Sequence, residues 1–495
     1  MAANIEYEFC ELEDLLIVLT EVVGNHFPQV IFEKSNLEVK VAEYMDIFRD
    51  GLHFVIEYPY VDKFYRDSYY HYFASKHGVY QRDCIRISIF GKEIAIEDFL
   101  KNNRKKFLQE NFLGFFILRP LRQITGRSLI SPDAFEEKGF STCKHTANCS
   151  ILGVKLQVEG FPHCSQDYET ITCSETTLWA VMEYFGNKYP DYKPALPSQI
   201  IKALEMRAVQ RQLPARGLTM EDLSFALKQF GFGPRLYSKH EYGVFFNDII
   251  DMYVESGIPV LAGLSSDEGD LGHVVLITGK QAPKPDFTGI TQRIEEDSDR
   301  QIKYHYSSDF IAEYVVQDDN LAPYRLITLD RPGEHYNEGV MQDYEIDQVV
   351  VPLYPKVYLE AFVAKKLAFE ILKSESLGYQ FADSFIFRFF LTSSRSFKQH
   401  IVALEEMPED IHKIILLTKM PKFIWVAEIY AKEHFVGDKS HASGLIVIDA
   451  TEANEISEHA LIFAVYPDRY VAIDQNIFVT LQQGLANYRY FSNLL

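Results

Sequence analysis

Thr172-Cys173-Ser174-Glu175-Thr176-Thr177-Leu178-Trp179-Ala180-Val181-Met182-Glu183-Tyr184-Phe185-Gly186 is the stretch on which the fold turns. Thr172 followed three residues later by Glu175 is a capping box, so a helix is expected to start here with Cys173 in its first turn. Leu178, Val181, Met182 and Phe185 recur at helical spacing and give that helix a buried face. A thiol in a first turn sits among unpaired N–H groups at the positive end of the helix dipole. That setting favours the thiolate, the form that attacks carbonyls. Against this stands the plainer reading of Cys173 as a small buried hydrophobe, the usual state of a free cysteine.

A nucleophilic cysteine needs a base, and the base needs a group to orient it; both can lie far away in sequence. Ile258-Pro-Val-Leu-Ala-Gly-Leu264 reads as a strand, Ser265 to Asp270 as a polar loop, and Gly272-His-Val-Val-Leu-Ile-Thr-Gly279 as a second strand. This hairpin offers His273 at the start of a buried strand beside an open loop. Tyr314-Val-Val-Gln-Asp-Asp-Asn320 is another short apolar strand that ends in carboxylates. Asp318 there is placed to accept from an imidazole and hold its tautomer. Asp319 and Asn320 are rivals for that role, because one residue along a strand changes the face. Upstream, Gln166 offers a side-chain N–H to a developing oxyanion.

This order resembles the papain-like cysteine peptidase superfamily, most closely its bacterial, bacteriocin-processing-like branch. In that branch a Gln precedes a Cys at a helix start, a Gly-His pair opens a strand, and an Asp near a Pro-Tyr completes the set. The resemblance covers roughly residues 155 to 330. It implies Cys173 as nucleophile, His273 as general base and acid, Asp318 as orienting residue and Gln166 as oxyanion donor. The chain departs from the pattern in having Ser174 where the family usually has Gly. Gln166 also lies one residue further from the Cys than is common. The transporter linkage and leader-peptide substrates of the branch are not carried over, since this chain shows neither spanning helices nor a phosphate-cradling loop.

Net charge is −21 over 495 residues, which argues against a nucleic-acid surface; Lys101 to Lys106 reads as the solvated face of a helix. No apolar run approaches membrane-spanning length, and the N-terminus lacks the basic-then-apolar pattern of a secretory signal. Six cysteines in so long a chain make no disulfide framework. A cytoplasmic protein is expected, with no membrane partner and no cofactor. Cys143, His145, Cys149, His163, Cys164 and Cys173 raise zinc as a rival, but no Cys-x-x-Cys pair is present and the spacings match no common finger. No metal is therefore expected.

Three stretches follow from the patterning: an N-terminal mixed α/β region over 1–150, the peptidase-like region over 151–335, and a C-terminal α/β region over 336–495. In the first, Leu37-Glu-Val-Lys-Val41 and Cys84 to Phe90 read as strands, Asp62 to His77 as a Tyr-rich helix, and Phe112 to Leu118 as a buried strand. In the second, helices are expected from Cys173, Ser198, Thr219 and Phe245. In the third, a helix over Tyr358 to Ser374 and strands at Phe385, Phe423, Gly444 and Leu461 are expected. Asp449 reads as a turn residue that binds its own backbone. Helices followed by strands define an α+β fold, here a helical subdomain packed on an antiparallel sheet, rather than strict βαβ alternation.

The function expected from this reading is a cysteine hydrolase that cleaves peptide or isopeptide bonds in a peptide or protein substrate through a thioester. The same groups can run acyl transfer. The alternative from a different class is a catalytically inactive peptide-binding module, which Ser174 and the shifted Gln166 favour.

Overall fold

Apolar runs along the chain form three sheets in the computed structural model, which describes residues 5–494 apart from 208–211, 216, 267–271, 297–300, 337–338, 382, 437–439, 455–456, 473–476, 482–483 and 486. Contacts divide the chain into two interleaved units. The first holds residues 1–231, 261–278 and 315–350, and the second holds 232–260, 279–314 and 351–495.

The first unit opens with a seven-stranded sheet in the order Glu6–Glu11, His53–Tyr60, Cys84–Phe90, Phe112–Leu118, Thr125–Ile130, Val154–Cys164 and His145–Ile151. Cys84–Phe90 and Phe112–Leu118 are buried at every position, as their unbroken apolar runs require of central strands. At Gly114 the backbone takes φ +121°, and a Cβ there would lie 2.2 Å from the Leu129 carbonyl oxygen. Only glycine allows that approach. The expected boundary near 150 falls inside this unit, because Val154–Cys164 pairs with Thr125–Ile130, Ile130 opposite Phe161, and so continues the N-terminal sheet. The expected limit at 335 also lies inside it.

Leu37–Val41 corrects the sequence reading: the segment is helical, over Leu37–Met45. Five alternating residues satisfy both periods, and the helical one wins because Leu37, Val41 and Tyr44 are buried together at i, i+4 and i+7. Val39, which alternation would bury, is 62 % exposed.

Lying mostly in the same unit, Arg325–Ile327, Tyr314–Gln317, His273–Gln281, Val260–Ser265 and Glu345–Val351 are neighbours in that order in a second sheet. Leu261 stands opposite Val350 in an antiparallel pair. The helix Cys173–Lys188 packs on Val154–Cys164, with the Phe161 and Tyr184 rings 5.3 Å apart. Pro197–Glu205 and Met220–Gln229 are helices as expected, and Thr219 caps the latter by accepting from the Asp222 N–H.

The second unit carries an eight-stranded sheet running Arg293–Glu296, Gln301–Tyr306, Phe385–Ser393, Phe423–Ala431, Gly444–Asp449, Leu461–Val465, Arg469–Ala472 and Ile477–Thr480. Only the Gln301–Tyr306 and Phe385–Ser393 pair is parallel among the registers described. Trp425 stacks on Phe389 at 5.0 Å. The helices Ala361–Lys373 and Glu409–Leu417 lie where expected, whereas Ser394–Ala403 is one that periodicity missed, capped by Ser393 accepting from the Ser396 N–H. Asp449 accepts from the N–H and hydroxyl of Thr451, both at 2.7 Å, a self-contained turn.

Buried inside this unit is a charge cluster. Arg388 pairs with Glu255 and with Glu428 (2.5 Å to the latter), and Lys280 pairs with Asp251 at 2.7 Å and with Glu255. Ions taken this far from water are tolerated only when paired, and each of these is. The architecture as a whole is mixed α/β with antiparallel sheets. Among the described residues no helix is long and apolar enough to cross a membrane.

Candidate active site

The helix that carries Cys173 starts where the capping box places it. Glu175 Oε2 accepts from the Thr172 backbone N–H at 3.0 Å and from the Thr172 hydroxyl at 2.5 Å. Cys173 is therefore held at the first helical position, half-buried, on the wall of a cavity of about 530 Å³. Ser174, Leu218, Met220, Gly263 and His273 line the same space. Part of the polar loop expected to border the site, at 267–271, lies outside the described residues.

The two threonines that follow anchor this helix to the strands bearing the other candidates. Thr176 Oγ1 donates to Asp319 Oδ2 at 3.0 Å, and Thr177 Oγ1 donates to the Val274 carbonyl, next to His273, at 3.5 Å. Both hydroxyls also bond back to the carbonyl of Cys173, at 2.9 and 2.6 Å. Sequence reading gave these residues no role, since Thr-Thr in a helix is an ordinary pair.

His273 stands at the first position of its strand and is buried. Its Nε2 is 3.0 Å from Asp318 Oδ1, and the Cys173 thiol lines the same cavity near enough to favour the charged ring. With Nε2 committed to Asp318, Nδ1 is the nitrogen left for the sulfur. Burial alone would disfavour the imidazolium. The Asp318 charge and hydrogen bond, the Cys173 side chain and the Asp319 charge outweigh it and hold the ring well above the usual histidine range.

Asp318 is completely buried, and four donors converge on its carboxylate. Oδ1 accepts from His273 and from the Asn320 N–H, both at 3.0 Å, while Oδ2 accepts from His335 Nε2 at 3.2 Å and from the Tyr336 hydroxyl. Burial pushes against its charge. The His273 cation and the bonds from His273, His335 and Tyr336 prevail, keeping it well below the usual carboxylate range. His163 Nε2 sits 3.0 Å from the Asp318 carbonyl oxygen and fixes the backbone. Burial pushes this imidazole down to about 4, so it stays neutral. His335, Tyr336 and His163 were not singled out as partners of Asp318; His335-Tyr336, in a turn opened by Pro332, has no periodicity to betray it.

Of the rivals at this strand end, Asp319 lies 3.9 Å from His273 Nε2, and its Oδ1 has no hydrogen-bond partner. Burial drives its carboxyl up to about 7. Asn320 points the other way, with Oδ1 accepting from Gln166 Nε2 at 2.6 Å. Gln166 is thus brought to the Asp318–Asn320 turn, and it is not among the side chains lining the cavity that holds Cys173.

Ligand atoms of His273, Asp318 and Asp319 come within 4.8 Å of one another, close enough for a cation. The donor set does not suit one. His273 Nε2 and both Asp318 oxygens are already engaged in hydrogen bonds, which leaves a single free oxygen on Asp319. The Cys and His residues between 143 and 173 do not converge on any such group among the described residues. His163 is spent on Asp318, and Cys143 and Cys164 are separately buried thiols.

No protein-family model matches this chain, and no curated protein matches it.

Proposed function

We propose that the protein is a cysteine hydrolase of peptide or isopeptide bonds, in the manner of papain-like peptidases, with Cys173, His273 and Asp318 as its working groups. The observation that carries the reading is the His273 imidazole, bound through Nε2 to a buried, four-fold satisfied Asp318 and neighbouring the Cys173 thiol on a cavity wall.

In this reading the thiol proton rests on His273 and the Cys173 sulfur attacks the scissile carbonyl. The C=O electron pair moves onto oxygen. First-turn N–H groups, which have no intrahelical acceptor, meet that charge. As the tetrahedral centre collapses, His273 gives its Nδ1 proton to the leaving amine and a thioester forms. Water then yields a proton to His273 and its oxygen to the carbonyl carbon. The acid departs and the thiol is restored. Throughout, Asp318 keeps the ring in the tautomer with Nε2 protonated. Gln166, tied to Asn320, serves as a positioning residue at the Asp318 turn rather than as the oxyanion donor expected of it. That same placement favours the second reading, a non-catalytic peptide-binding site.

Iodoacetamide labelling at pH 6 tests the proposal. Burial pushes the other five thiols up: Cys10 and Cys164 to about 12, Cys143 to about 11, and Cys84 and Cys149 in the same direction. Rapid modification confined to Cys173, and lost in His273→Ala, is the expected result. Equal labelling in the variant removes the ion pair from the argument.

A further inference from the structure

A second cavity of about 540 Å³ lies within the first unit and shares no lining residue with the one at Cys173. Its volume is in the range of small-molecule sites, roughly 300–1,000 Å³. Part of the lining is aromatic: Phe64 and Trp179, 4.7 Å apart and buried, and Tyr60. His145, 4 % exposed, also lines it, and neither of its ring nitrogens has a hydrogen-bond partner. A buried polar group without a partner is destabilising, so an unsatisfied imidazole against a cavity marks a place that a ligand would complete.

The charges around the cavity balance. Arg127 is paired with Asp62 and Arg86 with Glu57, while Lys63 and Glu183 offset one another. The Arg127 guanidinium lies 5.1 Å over the Phe115 ring, part of the same lining. A site without surplus charge holds a net anion or cation poorly. Flat rings and one neutral imidazole, a donor on one nitrogen and an acceptor on the other, hold a planar heteroaromatic well.

We propose that this cavity binds an uncharged, planar heteroaromatic molecule of nucleoside size, stacked against Trp179 and hydrogen-bonded to His145. A planar base stacks on an aromatic face whatever its identity, and the single hydrogen bond to the imidazole orients it. The site is independent of Cys173 chemistry, so its test does not touch that reading.

Adenosine and uridine titrated into the full-length chain, followed by calorimetry and tryptophan fluorescence, provide the test. The chain has two tryptophans, so Trp179→Phe assigns the optical signal. The expected result is one saturable event with at least one of the nucleosides, with quenching that disappears in Trp179→Phe. Affinity should fall about tenfold or more in His145→Phe. Ala147→Phe should abolish binding, because Ala147 follows His145 by two along a strand and lines the same space. Near-ultraviolet circular dichroism and a denaturant midpoint like the wild type's serve as the check that each variant is folded. Absence of saturable heat with both nucleosides overturns the proposal, as does binding that survives both His145→Phe and Ala147→Phe.

Discussion

The hydroxyl of Thr176 donates to Asp319 Oδ2 at 3.0 Å, so the second turn of the helix bearing Cys173 is tied to the carboxylate adjacent to the one that His273 bonds. Cys173 and Asp318 are thereby held on two elements joined by a hydrogen bond that neither of them makes. Replacing Thr176 by Val keeps the shape and removes the donor, leaving Asp319 with less compensation for its burial. A loss of about 1–3 kcal/mol is expected in urea unfolding, together with slower labelling of Cys173. Unchanged values of both would make the tie incidental.

Asp319 has a stability signature of its own. Its carboxyl is raised to about 7, so the folded chain holds that proton more tightly than the unfolded chain does. The contribution is therefore present at low pH and is lost as pH rises from the ordinary carboxylate value through about 7. Asp319→Asn, neutral throughout, should flatten that slope and be more stable than the wild-type protein at pH 8. Denaturant midpoints at pH 5 and pH 8 measure it, and parallel curves for the two proteins would contradict it.

Asp318 and His273 run in opposite directions. Asp318, held well below its usual range, contributes stability above the unfolded carboxylate value, and this is lost as pH falls through the depressed one. His273, held well above its range, contributes stability below the unfolded histidine value, and this is lost as pH rises through the elevated one. Tyr336→Phe removes one donor from Asp318 and should move the acid-unfolding midpoint to higher pH, at a cost of about 1.5–3 kcal/mol near neutrality. Far-UV circular dichroism across an acid titration reads this shift.

In the second unit, Arg388 is fully buried between Glu255 and Glu428. Arg388→Met strips Glu428 of its counter-ion and leaves Glu255 with Lys280 alone, and should cost about 3–5 kcal/mol in equilibrium unfolding. Adding Glu428→Gln to that variant should recover part of the loss, since the stranded charge is then gone. Additive losses would mean that the pair does not interact.

The placement of Cys173 and His273 at the starts of their elements was legible along the chain because its signals are local. The capping box at Thr172 and Glu175 placed Cys173 at the first helical residue, and the apolar run after Gly272 placed His273 at a strand start. Leu37 to Val41 was misread because five residues are too few to separate a period of two from one of 3.6 when packing decides. Ser394–Ala403 was missed because its moderately polar sequence buries only Phe397 and Ile401. Choosing among Asp318, Asp319 and Asn320 was beyond the sequence, since all three carry acceptors and differ only in the face they occupy.

Residue order and spacing alone determined where the helices and strands begin around Cys173, His273 and Asp318, because caps and apolar periodicity act within a few residues. Tertiary structure alone decided that Asp318 faces the imidazole, that Gln166 turns to Asn320, and that His335 and Tyr336 complete the carboxylate's hydrogen bonds. Those outcomes depend on which lone pairs meet which donors once water is excluded. Chain separation carries no information about such a match, because burial enforces it only after distant strands have come together.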